Sequence, residues 1–148
     1  MSQRRMHGSC VSRNGEAVLM VGPSGSGKSD LALRLIARGF DLVADDQVNI
    51  RDNMVSCSAE LAGLLEARGL GIVRLPYRAT AHLALIVELG PRSLGPLNER
   101  MPEPQIHPLL GCPVVRIDAA APSAPERVAL ALDCALGLVT QVAGAFAA

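Results

Sequence analysis

The chain has 148 residues, of which 49% are hydrophobic and 19% charged, and its formal net charge is zero. This length suits one domain, and this composition argues against a disordered protein. A neutral chain with two Phe, one Tyr and no Trp has neither the basic surface nor the stacking side chains of a nucleic-acid-binding protein.

The predicted elements begin with a buried strand at residues 16–21, an apolar run that precedes a glycine-rich loop. Residues 28–38 have the periodicity of an amphipathic helix, and Gly39 is a typical helix stop. A second strand is expected at residues 40–44 and ends at a pair of aspartates. Strand, loop, helix and strand in this order indicate an α/β domain.

The loop after the first strand, residues 22–29, matches G-x-x-x-x-G-K-[ST] at every fixed position. Glycines let backbone N–H groups point at an anion, and the start of the following helix adds further N–H groups and its positive dipole end. We expect Lys28, the only lysine in the chain, to reach the β- and γ-phosphates of ATP, and Ser29 to bind Mg²⁺. The predicted nucleotide-binding residues are Gly22, Pro23, Ser24, Gly25, Ser26, Gly27, Lys28 and Ser29.

Asp45 and Asp46 follow the second predicted strand. Ligands of α/β sheets collect at the carboxyl ends of strands, so we expect this strand to lie beside the first and to bring both carboxylates near the phosphates. Neighbouring side chains alternate in direction on a strand, so the two carboxylates are expected to have different roles.

Residues 47–51 and 54–58 are predicted to pair as a hairpin, and residues 60–67 to form a short helix. Further strands are expected at residues 69–75, 83–89 and 113–118, and an irregular loop at residues 90–112, which hold five of the ten prolines. A last helix is expected from about Pro125. The fold class is therefore α/β: a P-loop domain with a mixed central β-sheet flanked by helices.

Several features indicate a cytoplasmic protein. Arg4 and Arg5 near the N-terminus are not followed by the apolar core of a signal peptide. The apolar stretch at residues 128–148 is interrupted by polar residues, which favours a buried helix with a loose tail over a membrane span. The four cysteines are scattered, as expected of free thiols in a reducing compartment.

Residues 6–50 resemble the catalytic domain of HPr kinase/phosphorylase. The matching features are His7-Gly8, the loop followed by Asp30, Ala37-Arg38-Gly39, and the strand that ends in Ala44-Asp45-Asp46. The segment from Glu66 through Arg68 and Gly69 to Ile72 resembles the family's E-x-R-G-x-G-I segment. Glu99-Arg100 is similar to a later family loop, and the segment from Pro125 is similar to the start of its final helix.

The resemblance implies an ATP- and Mg²⁺-dependent kinase that phosphorylates a serine of HPr, the small phosphocarrier protein of the phosphotransferase system. It also implies the reverse reaction, removal of that phosphate by phosphorolysis. Asp45 or Asp46 would be the base for the serine hydroxyl, His7 would tune its proton, and Lys28 and Arg100 would stabilise the transferring charge. Ser29 and Glu66 would ligate Mg²⁺.

The family commonly carries an N-terminal domain and forms hexamers. We expect residues 1–148 to be a single catalytic domain without that N-terminal domain, and the resemblance allows a homo-oligomer. Two other readings stay open: a small-molecule P-loop kinase, and a non-catalytic binding module that responds to ATP. Residues 90–105 hold only two arginines, fewer than the lid of a small-molecule kinase usually carries. A binding module would need the loop but not the whole set of acidic residues.

Overall fold

The computed structural model describes residues 3–90 and 100–147, and in that part of the chain ten strands and two helices are formed. Eight strands make one mixed sheet, and the other two form a separate hairpin. In chain order the elements are β1 (Gln3–His7), β2 (Ser9–Arg13), β3 (Glu16–Val21), α1 (Lys28–Ile36), β4 (Asp41–Ala44), β5 (Gln47–Arg51), β6 (Met54–Ser56), β7 (Leu64–Ala67), β8 (Gly71–Arg74), β9 (Thr80–Glu88), β10 (Val114–Arg116) and α2 (Ala124–Ala135).

The main sheet has the order β1-β5-β6-β9-β3-β2-β4, and β10 pairs with the carboxyl-terminal end of β9. Strands β3, β9 and β10 are parallel, so their carboxyl ends meet at one edge. Strand β2 is antiparallel to both of its neighbours, β3 and β4. The expectation of a mixed sheet is confirmed, but β4 is not beside β3 as we predicted, because β2 separates them.

Each face of the sheet has its own hydrophobic core. Along β3, Val18 and Met20 pack with buried residues of both helices, whereas Ala17 and Leu19 belong to a second cluster with residues of β5, β6 and β9. This alternation is the period of two that a strand imposes. Both helices therefore cover the same face, and the six residues 22–27 connect the end of the central strand β3 to the start of α1.

The strands predicted at residues 16–21 and 40–44 and the two helices are confirmed within a few residues. The hairpin of β5 and β6 is also confirmed, and its turn residues Asp52 and Asn53 both have positive φ, at 51° and 63°. Such angles occur in the tight turns that match the twist of paired strands.

The short helix predicted at residues 60–67 is wrong. Residues 64–67 form β7, which pairs antiparallel with β8. Leu65 is fully buried while its neighbour Glu66 is exposed, which is the alternation of a strand rather than the three-to-four spacing of a helix. Pairing with β8 provides the backbone hydrogen bonds that a single turn of helix would otherwise have supplied.

Strands β1 and β2 were not predicted. Four of the five residues of β1 are exposed, and β2 buries Ser9 and Ser12, so neither strand has the apolar pattern of a typical strand.

After β9, residues 100–112 contain no named strand or helix, and one isolated bridge joins Ile106 to Pro113. The rest of the predicted irregular loop includes residues 91–99, which lie outside the described residues. Helix α2 ends at Ala135, and no helix in the described ranges has the length and hydrophobicity needed to cross a membrane.

Candidate functional site

The loop between β3 and α1, residues 22–29, is called the phosphate loop below. Its first residue, Gly22, has a φ of 155°, and a Cβ at this position would lie 1.9 Å from the carbonyl oxygen of Leu89 at the end of β9. Only glycine allows this close approach of two strand ends. Helix α1 begins at Lys28, so the backbone N–H groups of its first turn face the space around the loop.

Lys28 lies inside the phosphate loop and is only 8% exposed. Its Nζ donates hydrogen bonds to the carbonyl oxygens of Gly22 at 2.7 Å and of Pro23 at 3.0 Å. Loss of hydration lowers the pKa of Lys28, and the negative charges of Asp45 and Asp46 act in the opposite direction. The ammonium group is thus held at the loop and faces two carboxylates.

Asp45 is the buried carboxylate of the pair, with 8% exposure. Its Oδ1 accepts hydrogen bonds from the hydroxyls of Ser9 at 2.6 Å and of Ser29 at 2.7 Å. Its Oδ2 accepts a bond from the backbone N–H of Glu66 at 3.2 Å. Three donors from three segments fix the orientation of this carboxylate and satisfy most of its acceptor capacity.

Asp46, in contrast, is exposed. Its Oδ1 lies 3.3 Å from Nδ1 of His7, and the two side chains are 66% and 56% exposed, respectively. The residue has a φ of 78°, a backbone conformation that is uncommon outside glycine, and its carbonyl oxygen accepts a hydrogen bond from the N–H of Gly8 at 3.0 Å. This carboxylate is open to a reactant and has an imidazole beside it.

Strand β2 explains why the N-terminal residues reach the phosphate loop. Because β2 is antiparallel to β3 and β4, its amino end lies at the edge where those two strands have their carboxyl ends. Ser9 therefore lies between the phosphate loop and Asp45. A Cβ on Gly8 would be 2.7 Å from the carbonyl oxygen of Met20, so this junction needs glycine to pass against β3.

These residues line a cavity of about 570 Å³, which we call the main cavity. The predicted site residues that line it are His7, Ser24, Gly25, Gly27, Lys28, Ser29, Asp45, Asp46 and Glu66. Gly22 lies behind this wall, and Pro23 and Ser26 line a second cavity on the other flank of the loop. Arg100 is exposed and is not among the described residues that line either cavity, so its role stays a prediction.

The oxygen atoms in the main cavity fit a magnesium ion. Ser29 offers a hydroxyl, while Asp45 and Glu66 offer carboxylates, and hard oxygen ligands are those that Mg²⁺ prefers. Among the described residues there is no group of three or more His, Cys, Asp or Glu arranged to hold a metal.

Ser9 was missed by the sequence analysis. It is 1% exposed, and its hydroxyl donates a hydrogen bond to Asp45, a residue 36 positions further along the chain. The only available signal was a polar residue directly after His7-Gly8, which does not distinguish a buried serine from a surface one.

In a comparison with protein families, residues 1–94 match the model described as HPr Serine kinase C-terminal domain. Among similar proteins, the HPr kinase/phosphorylase of Acidovorax sp. (strain JS42) is 41% identical over 126 residues. That alignment covers 76% of this chain and 40% of the relative. The HPr kinase/phosphorylase of Clostridium tetani (strain Massachusetts / E88) is 45% identical over 78 residues, which cover 50% of this chain and 26% of the relative. The chain thus matches less than half the length of these relatives.

Among solved structures, that of the Hpr(Ser) kinase/phosphatase from Coxiella burnetii has a similar fold. The TM-score is 0.77 at 22% sequence identity, and the match covers 91% of this chain and 92% of that one. At this identity the similarity establishes the fold, which is the mixed α/β architecture described above.

Proposed function

The chain belongs to the family of the HPr Serine kinase C-terminal domain, and from this premise we propose that it transfers the γ-phosphoryl group of ATP to a serine of an HPr-type phosphocarrier protein in the cytoplasm. The observation that carries the proposal is the pairing of a phosphate loop with two differently placed carboxylates in one cavity. The names of the relatives indicate the same chemistry and add a reverse reaction, phosphorolysis of the phosphoserine.

In this proposal the phosphate loop binds the phosphates of ATP. The N–H groups at the start of α1 and the ammonium of Lys28 supply the positive field that a transferring phosphoryl group requires. Lys28 exchanges its bonds with the carbonyls of Gly22 and Pro23 for phosphate oxygens. Ser29, with Asp45 or Glu66 nearby, would hold Mg²⁺, which would supply neutralisation of phosphate charge when bound.

Asp46 is the base in this proposal. Its carboxylate is exposed at the mouth of the cavity, so an incoming serine hydroxyl can reach it, whereas Asp45 is enclosed by three donors. His7 orients Asp46 through the contact of its Nδ1 with Oδ1. It stabilises the carboxylate in the kinase direction and the carboxylic acid in the reverse direction. The same pair can return the proton in phosphorolysis. Arg100 is proposed to stabilise the negative charge of the phosphoryl group during its transfer.

The test is transfer of label from γ-labelled ATP, with Mg²⁺, to the HPr encoded in the same genome. The control substrate is an HPr whose target serine is replaced by alanine. We expect label on the first protein and not on the second. Lys28→Ala should abolish the transfer and ATP binding, while Arg51→Ala, at an exposed position of β5 outside both cavities, should leave both intact.

Added inorganic phosphate should then remove the label and return HPr to its original form. If wild-type protein binds ATP but labels no HPr, the kinase proposal is wrong, and a small-molecule substrate or a non-catalytic ATP-responsive module takes its place. If ATP is not bound at all, the assignment of the phosphate loop itself is wrong. Sedimentation of the same preparation tests the homo-oligomer that the family resemblance allows.

A further inference from the structure

A second cavity, of about 350 Å³, lies on the opposite flank of the phosphate loop from the main cavity. One wall is formed by loop residues 23–26 and the other by residues 117–119, which follow β10. Ser24 and Gly25 line both cavities, so the tip of the loop is shared between them. A ligand that crosses the loop would therefore occupy both spaces.

The topology places this second cavity where α/β sheets bind ligands. Strands β3, β9 and β10 are neighbours and parallel, and the cavity is lined by residues directly after each of them: the loop, Gly90 and residues 117–119. A crevice at the carboxyl ends of adjacent parallel strands is the usual binding position in such folds.

The chemistry of the walls differs between the two cavities. The main cavity is lined by the cations Lys28 and Arg68 together with His7 and several carboxylates. Among the described residues that line the second cavity, the one charged side chain is Asp118, which lies beside the apolar residues Pro23, Ile117 and Ala119. No cation of this described lining offsets the repulsion between Asp118 and a phosphate. The second cavity therefore suits an uncharged, partly apolar group that donates hydrogen bonds, and its volume is at the lower end of the range of small-molecule sites.

The wall of the second cavity that is formed by residues 117–119 is held in place by hydrogen bonds. The guanidinium of Arg34 in α1 donates to the carbonyl oxygens of Ala119 at 2.7 Å, Ala121 at 3.0 Å and Pro122 at 3.1 Å. Oδ1 of Asp118 accepts a hydrogen bond from the N–H of Ala120 at 3.0 Å, which fixes the orientation of its side chain. Within the described residues no partner is found for the other carboxylate oxygen. A wall fixed in this way can bind a ligand without first having to be ordered.

From these observations we propose that the second cavity holds the nucleoside half of ATP and that Asp118 accepts a hydrogen bond from it. This inference rests on the proposed function, because it takes ATP as the ligand of the phosphate loop. The triphosphate then crosses the loop from the second cavity to the main cavity, where its γ-phosphoryl group meets Asp46 and His7. Asp118 is a binding residue in this proposal and has no part in the transfer.

Calorimetric titration with Mg²⁺–ATP and with Mg²⁺–tripolyphosphate, which lacks a nucleoside, tests the proposal. Wild-type protein should bind ATP at least about 10-fold more tightly than tripolyphosphate. Asp118→Asn keeps the acceptor for the N–H of Ala120 but can replace the second oxygen by a donor. It should weaken ATP binding about 10-fold, as expected for losing a hydrogen bond to a charged group, and should not weaken tripolyphosphate binding.

Asp41→Asn is the matched control, because it removes the same charge at an exposed position outside both cavities. It should affect neither ligand. Equal affinities of wild-type protein for ATP and tripolyphosphate would overturn the proposal, as would an Asp118→Asn variant that binds both ligands like wild type. If wild-type protein binds tripolyphosphate no better than it binds a monovalent anion, the phosphate-loop function fails, a result distinct from failure of the second cavity.

Discussion

Asp45 and Asp46 are adjacent in the chain but lie in opposite environments. Asp45 is buried and accepts three hydrogen bonds, whereas Asp46 is two-thirds exposed and contacts His7. The positive φ of Asp46, 78°, turns the backbone at this point and separates the two carboxylates. Their different surroundings are the basis for assigning them different functions.

We expect Asp46→Asn to lower the turnover number by roughly 10²- to 10⁴-fold with little change in ATP affinity, because an amide cannot take the proton of the attacking hydroxyl. His7→Ala should change turnover in the same direction. Steady-state kinetics of HPr phosphorylation, with ATP affinity measured separately, provides the comparison. An Asp46→Asn enzyme with wild-type turnover would exclude this carboxylate as the base.

Asp45→Asn should behave differently. Its three donors would face an amide that can match at most part of their pattern, so the variant should lose Mg²⁺–ATP affinity and stability together. Ser29 would also lose its partner. Titration with Mg²⁺–ATP and urea unfolding of the same preparation measure both effects. A stable Asp45→Asn protein with unchanged Mg²⁺–ATP affinity would contradict this role.

Two buried serines on β2 provide a matched test of the positioning of Asp45. Ser9 donates to Asp45, while the hydroxyl of Ser12, three residues along the same strand, has no hydrogen-bond partner among the described residues. Ser9→Ala should lower the free energy of unfolding by about 1–3 kcal/mol, because it removes a hydrogen bond to a buried charged group. Ser12→Ala should be neutral or stabilising, because an unpaired buried hydroxyl costs free energy.

Urea unfolding of the two alanine variants measures this difference directly. The Ser9→Ala enzyme should in addition need more Mg²⁺ for half-maximal activity, since Asp45 is then oriented by two donors instead of three. Equal stability of the two variants would mean that the Ser9–Asp45 contact contributes nothing to the fold. An unchanged Mg²⁺ requirement would limit Ser9 to a structural role.

At the scale of elements, the local sequence pattern was sufficient to predict the elements that have a regular apolar period. The apolar run of β3, the glycine-rich loop and the periodicity of α1 were predictable because each signal lies within a few residues. Strand β2 was not, because its buried positions include two serines, and the burial of Ser9 is offset by a contact with Asp45. Strand β1 is mostly exposed and its pairing with β5 joins residues 40 to 48 positions apart.

The features of the candidate site likewise fall into those that a local sequence pattern predicts and those that it does not. Lys28 and Ser29 were predicted from the motif, and the two aspartates from their position at a strand end, although that strand was wrongly expected to lie beside β3. The contact of His7 with Asp46 came only from a family resemblance, because it depends on the antiparallel insertion of β2 between β3 and β4. Such an insertion has no local signature in the sequence. The hydrogen bond from the Glu66 N–H to Asp45 was not predicted either, because residues 60–67 were expected to form a helix and not a strand.

The hairpin of β7 and β8 connects the core to the site. Leu65 is fully buried and packs in the same cluster as α1, and the next residue donates its N–H to Asp45. We expect Leu65→Ala to lower the free energy of unfolding by roughly 2–5 kcal/mol, as buried leucine truncations do, and to raise the Mg²⁺ requirement. Leu70 lies in the turn of the same hairpin and is 79% exposed, so Leu70→Ala should stay within about 0.5 kcal/mol of wild type.

Urea unfolding and Mg²⁺-dependent activity of both variants give the measurement. A Leu65→Ala protein that is destabilised but keeps its Mg²⁺ requirement would show that the hairpin does not support Asp45.

At the scale of the whole molecule, Arg34 joins the part of the chain that matches the family model to the C-terminal part. Its guanidinium binds three carbonyl oxygens just before α2, and the contact lies between residues 85 to 88 positions apart. Arg38, two residues beyond the end of α1, pairs with Glu126 of α2, but those side chains are 45% and 54% exposed. The two arginines thus connect the same helices in different environments.

We expect Arg34→Ala to lower the free energy of unfolding by roughly 2 kcal/mol or more, because several charge-assisted hydrogen bonds are lost at once. Arg38→Ala should cost at most about 1 kcal/mol, as is usual for an exposed ion pair. Thermal and urea unfolding of the two variants test this order. The reverse order would mean that α2 is held to α1 mainly by the ion pair and not by the carbonyl contacts.

The position of Lys28 also has a consequence for the strength of nucleotide binding. Its ammonium bonds to the carbonyls of Gly22 and Pro23. A triphosphate bound in the proposed way would replace these two bonds. The net contribution of Lys28 to affinity should therefore be the difference between its bonds to phosphate and its bonds to the two carbonyls.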